Sequence, residues 1–140
     1  MIKIIFTFFA TMLFVTQVFA IDKKQINLNQ TIWGTWGLFN PSTACTENYM
    51  FSQPGTFVYK AQKKELKGDF AVVRNNDAKI FDLLILEIQS DNGEIGCGGD
   101  NNNYQGQKSN FFLKWLSPTS AELCLDNTGK QCTGLYLNKR

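Results

Sequence analysis

The sequence predicts an all-β domain: an eight-stranded antiparallel up-and-down barrel tied by two disulfides. Three observations carry that prediction. Eight short runs rich in β-branched and aromatic residues alternate with turn residues. No stretch shows a sustained apolar repeat at helical spacing between caps. Most connections are short, so sequence neighbours should pair antiparallel, and closure of the sheet removes the edges that would invite aggregation.

The strands are expected in this order. Thr31 to Leu38 is the first, and Tyr49 to Ser52 the second. The second ends at Gln53-Pro54-Gly55, a turn because proline presets φ and glycine supplies a positive φ. Thr56 to Ala61 is the third, with Phe57, Tyr59 and Ala61 on one face. Lys60 to Lys67 (KAQKKELK) is too short and too charged for a buried helix, and reads as a solvated loop or a single helical turn. Leu66 to Arg74 is the fourth strand, closed by Asn75-Asn76-Asp77, and Lys79 to Gln89 the fifth, closed by Ser90-Asp91-Asn92-Gly93. The fifth is apolar on both faces, so its outer side is a possible covered or partner-binding surface. Ser109 to Leu116 is the sixth, with Phe111, Leu113 and Trp115 on one face. Ala121 to Asp126 is the seventh, with Ala121, Leu123 and Leu125 inward, and Cys132 to Asn138 the eighth.

Residues 1–20 stand outside this pattern. Lys3 precedes a dense apolar run from Ile4 to Val15, and Val18 and Ala20 supply short residues at the end. This is the grammar of a secretory signal peptide, with cleavage expected after Ala20. The run is slightly short for a membrane span, and no cysteine follows the cleavage point to carry a lipid, so no stable membrane anchor is expected after processing. The chain then divides into an N-terminal segment, 21–30, and the barrel, 31–140. A periplasmic or secreted location follows.

Composition narrows the chemistry. The 140 residues carry 14 basic and 12 acidic side chains, a formal charge of +2, too small to point to nucleic acid or an anionic membrane surface. There is no histidine, which removes histidine acid/base work, Ser-His and Cys-His nucleophiles and histidine-ligated metals. No case for a carboxylate hydrolase links Asp69 to Asp82. An enzyme is not expected.

The cysteines number four: Cys45, Cys97, Cys124 and Cys132. An even count in an exported small domain points to disulfides, whereas a zinc site usually shows close C-x-x-C pairs, absent here. Cys124 and Cys132 sit symmetrically about Thr128 in a turn-rich stretch, so a hairpin places them opposite each other. That favours Cys124–Cys132 and leaves Cys45–Cys97 as the long-range bond.

The first strand contains Gly34-Thr35-Trp36. This G-x-W triplet near the expected mature N-terminus resembles the opening of the lipocalin-like (calycin) barrels. The resemblance implies that Trp36 plugs the closed end and that a late arginine packs across it. Arg140 is the candidate, with Lys139 beside it. The family's C-terminal helix is absent. In such a topology, loops after strands one, three, five and seven share one end. Both disulfides are then expected at the open mouth, opposite Trp36.

At that mouth, Tyr49, Tyr59, Tyr104 and Phe111 are the candidate ligand-binding residues, able to line a pocket for an apolar or aromatic ligand. The loop Gly93 to Gln107 holds five glycines, three consecutive asparagines and Cys97, and reads as a flexible mouth loop. Asp91, Glu94 and Asp100 are too few and wrongly spaced for calcium, and no helix follows to make a phosphate cradle. Neither a metal nor a cofactor is expected. Lys60, Lys63, Lys64 and Lys67 form a basic cluster expected on the solvated surface. Asn29-Gln30-Thr31 is a glycosylation sequon in a eukaryotic source. The expected function is binding of a small apolar or amphipathic ligand at the mouth. The rival is a disulfide-stapled protein-interaction module, an inhibitor or effector, using the Asn/Gly loop and the lysines.

Overall fold

The computed structural model describes residues 21–140, so the expected signal peptide lies outside the described residues. Eight strands form one closed antiparallel barrel in sequence order: β1 (Gly34–Asn40), β2 (Cys45–Ser52), β3 (Thr56–Ala61), β4 (Lys64–Val73), β5 (Asp82–Asp91), β6 (Lys108–Ser117), β7 (Ser120–Cys124) and β8 (Cys132–Lys139). Closure comes from β8 against β1, with Trp36 opposite Lys139 and Leu38 opposite Leu137. Both expected disulfides are formed, Cys45–Cys97 and Cys124–Cys132, and suit an oxidising compartment. No described helix is long and apolar enough to cross a membrane.

The period of two along each strand sorts side chains between interior and exterior. Trp36, Leu38, Phe51, Phe57, Leu84, Leu113 and Leu137 point inward and are almost inaccessible to solvent. Each such side chain contributes roughly 1.5–3 kcal/mol of burial, so the interior layer is the main source of stability. Opposite Lys67 and Gly68, β5 carries the extra residue Gln89 and bulges against β4. A Cβ on Gly68 would lie 1.9 Å from the Glu87 carbonyl oxygen and 3.0 Å from the Phe57 ring. Only glycine allows that approach.

Several boundaries differ from the sequence expectation, each for a local reason. A helical turn, α1 (Leu28–Thr31), occupies the expected start of the first strand. Its carbonyl at Asn29 accepts a hydrogen bond from the Trp33 indole, 2.7 Å, so the strand begins three residues late. The second strand starts at Cys45 rather than Tyr49, because Thr46, Glu47 and Asn48 extend along β1 although their composition is polar. The stretch read as a loop or helical turn, Lys60 to Lys67, is instead a tight hairpin about Gln62-Lys63. Gln62 takes φ +53° there, and the N–H groups of Lys63 and Lys64 donate to the Ile95 carbonyl.

The seventh strand stops at Cys124, because the Asp126 carboxylate gathers the Thr128 hydroxyl and the backbone N–H groups of Thr128, Lys130 and Gln131 into a compact loop. Leu125, expected inside, is therefore exposed. β7 is only five residues long, so Cys124 rises no higher than Phe112 of β6, which itself faces Leu83 near the start of β5. The loop after it folds back along the outside. The Phe81 N–H donates to Asn127 O, 2.9 Å, and the Phe81 ring lies against Gly129. The Cys124–Cys132 bond is thus on the outer wall and not at the mouth, which corrects the expected placement.

The opposite end is sealed by the N-terminal segment. Ile26 and Ile32 are buried against the barrel floor. The Trp36 indole donates to Ile32 O, 2.8 Å, and packs edge-on against Trp115 with ring centroids 6.2 Å apart. Asp82, completely buried, accepts from the Trp115 indole (2.9 Å) and from Arg74 (3.0 Å), with Lys23 3.8 Å away. Arg74 also donates to Ile26 O, 2.7 Å, and Lys23 donates to the carbonyls of Asn75 and Ile80. Trp36 is therefore a floor residue. The cation beside it is Lys139, whose Nζ lies 5.7 Å from the ring centroid and donates to Thr31 O, 2.8 Å. The expectation for Arg140 is corrected. Residue 139 is the one opposite Trp36, and strand alternation puts the Arg140 side chain outside, over Gly37.

Candidate functional site

Above this floor the barrel is hollow. A cavity of about 350 Å³ reaches from the middle of the interior to the rim at the Cys45–Cys97 end. Period-two alternation explains its walls. Along β2, Cys45, Glu47, Tyr49 and Phe51 share the inner face, and Phe57 and Tyr59 face them from β3, with Tyr49 opposite Tyr59 in register. Leu66, Leu86, Ile88 and Phe111 complete an apolar lower wall. Tyr104 and Asp100 enter from the long β5–β6 loop, whose Cys97 is bonded to Cys45 at the start of β2. The structure therefore brings Tyr49, Tyr59, Tyr104 and Phe111 onto one cavity. Trp36 lies below it, and neither Cys124 nor Cys132 lines it.

Three charged side chains of the lining were not singled out as cavity residues by their sequence pattern. Lys64, expected among solvated lysines, is buried at the top of β4. Its Nζ donates to the Asp91 carboxylate, 3.2 and 3.3 Å from its two oxygens, and to Asn102 O (2.9 Å). Burial alone would raise the Asp91 carboxyl. The N–H groups of Tyr104 (2.8 Å) and Gly93 (2.7 Å), together with Lys64, outweigh it and hold the pKa below the usual carboxylate range. This pair pins the loop to the barrel. The rest of the expected lysine cluster is dispersed too: Lys60 and Lys67 are exposed and both bind Glu65 on the outer wall.

Glu47 is the second charge. Burial pushes its carboxyl up, against the hydrogen bonds from Tyr49 (Oη to Oε2, 3.0 Å) and Tyr59. The tyrosines respond in kind. Burial first, and then the Glu47 charge, drive both phenols well above their ordinary value. Asp100, at the rim, accepts from the Tyr104 hydroxyl, 3.2 Å. The parity shared with Cys45 and Tyr49 was the sequence signal that could have placed Glu47. No comparable signal existed for Asp100, which lies on a loop without period.

Glu122, Cys124 and Cys132 cluster on the wall, but both sulfurs are spent in the disulfide, so this group is not a metal site. Asp69 and Asp82 do not meet: Asp69 is exposed beside Gln89, and Asp82 is buried in the floor. The arrangement at the mouth, an apolar well rimmed by phenols and carboxylates, suits reversible binding of a small molecule. Comparison with known proteins gives no match to this chain among family models, curated proteins or solved structures.

Proposed function

We propose that this chain is an exported, lipocalin-like barrel that binds a small apolar or amphipathic ligand at its mouth, in the periplasm or outside the cell. The observation that carries the proposal is the 350 Å³ cavity, whose wall contains Tyr49, Tyr59, Tyr104 and Phe111. Its volume lies within the range of small-molecule sites, at about 300–1,000 Å³. The lipocalin-like reading is supported by the position of Trp36 in the floor, with a late-strand cation beside its ring. The two disulfides and the apolar leader support export.

The test is a fluorescence titration with an uncharged hydrophobic dye. Ser109 lines the cavity from β6, and Ser109→Phe fills it. Saturable enhancement in the native chain that disappears in Ser109→Phe is the expected result. No enhancement, or enhancement untouched by the blocking substitution, contradicts the proposal.

One observation favours a second reading, a protein partner. The outer face of β4–β6 carries Val73, which is 51 % exposed, beside partly exposed Leu83, Ile85 and Phe112. Of the four lysines, Lys64 is buried in an ion pair, and Lys60, Lys63 and Lys67 stay exposed to meet a partner. Loss of a captured partner on Val73→Lys would favour this reading.

A further inference from the structure

Resting on the reading of the mouth as a ligand site, we infer that the cavity is selective for a small organic cation: a protonated amine carried on an apolar body. The charge balance of the lining leads there. Its charged side chains are Glu47, Lys64 and Asp100. Lys64 brings no net charge, because its ammonium is paired with the Asp91 carboxylate and also donates to Asn102 O. Glu47 and Asp100 have only phenol hydroxyls as side-chain partners, Tyr49 and Tyr59 on one and Tyr104 on the other, and neither lies within 4.0 Å of a cation among the described residues. The mouth thus holds two carboxyl groups with no cation within ion-pair distance among the described residues, and a bound cation would supply that partner.

The walls fit the rest of such a molecule. Tyr49 and Tyr59 meet edge-to-face, centroids 5.0 Å apart, directly beside the Glu47 carboxylate. Electron-rich ring faces next to a carboxylate attract cations. The site already shows this chemistry in one place, since the Lys64 ammonium lies 5.2 Å from the Tyr104 ring centroid. Below them, Phe57, Leu66, Leu86, Ile88 and Phe111 offer an apolar well for the body of the ligand. Burial is the main cause that pushes both phenols up, and the neighbouring Glu47 carboxyl adds to it in each case. A carboxylate ligand would meet like charge at the rim. A neutral one would leave Glu47 desolvated and without a counter-charge.

The experiment is calorimetric titration of the full mature chain with three molecules of one shape, tryptamine, tryptophol and indoleacetate, at neutral pH. Tryptamine is expected to bind about tenfold tighter than tryptophol, the scale of one charge-assisted contact beside aromatic faces, with indoleacetate weakest. Glu47→Gln should close most of the gap between tryptamine and tryptophol. Asp100→Asn, a change at an exposed rim residue with little bearing on folding, should narrow it and lessen its salt dependence. Equal binding of all three, or a preference for indoleacetate, overturns the cation inference and leaves the mouth as a ligand site. If none of the three binds, both the inference and the ligand-site reading fall.

Discussion

Glu47 shows how one side chain can serve a site at the expense of the fold. Its pKa is raised by burial, so the folded state favours the protonated form. Ionisation then subtracts stability as pH rises from the ordinary carboxylate range through the raised value. Glu47→Gln is therefore expected to melt at a higher temperature than the parent at neutral pH, with the difference vanishing in acid. Thermal unfolding followed across pH checks this; a variant destabilised at neutral pH would refute it. Asp91 has the opposite sign. Its lowered pKa contributes stability that is present above the unfolded value and lost as pH falls through the folded one. Asp91→Asn leaves Lys64 buried without its counter-charge, and a loss of about 3–5 kcal/mol is expected in denaturant titration. The tyrosines of the site were legible in the sequence because strand alternation gave them a face. Lys64 was not, because a lysine-rich stretch looks solvated until its carboxylate partner, 27 residues away, is placed beside it.

At the scale of elements, the two disulfides differ in reach. Cys45–Cys97 closes a separation of 52 residues and Cys124–Cys132 one of 8. In the chain-entropy model these stabilise by about 4 and about 2.5 kcal/mol. The Cys45→Ser/Cys97→Ser pair should therefore unfold at lower denaturant than Cys124→Ser/Cys132→Ser. It should also speed amide exchange in residues 93–107, which the second pair should leave protected; the reverse ranking would contradict the placement of the bonds. The close approach of Gly68 to β5 at the bulge gives a sharper test. Gly68→Ala drives a Cβ against the Glu87 carbonyl and is expected to cost roughly 2–3 kcal/mol by overpacking. The eight strands were readable from alternation wherever the interior is apolar. Reading failed at the start of β2, where the inner face is polar, and at the end of β7, where the bonds of the Asp126 carboxylate stop the strand. Neither signal belongs to hydrophobic period.

For the whole molecule, the barrel is solid at one end and hollow at the other, and the N-terminal segment makes the difference. Ile26, Ile32 and Lys23 are buried in the floor, where Asp82 and Arg74 hold the segment in place. A polar segment ahead of the first strand gave no sequence sign of this clamp, because its partners lie about 50 residues on, in the β4–β5 connection and at the start of β5. The sealed floor leaves the mouth as the entrance to the interior cavity. A nuclear magnetic resonance titration of the labelled chain with tryptophol is the most direct measurement of that claim. The account predicts saturable shifts confined to Tyr49, Tyr59, Tyr104, Phe111 and their neighbours at the mouth. An absence of shifts, or shifts centred on Val73, Leu83 and Phe112 of the outer wall, would contradict it.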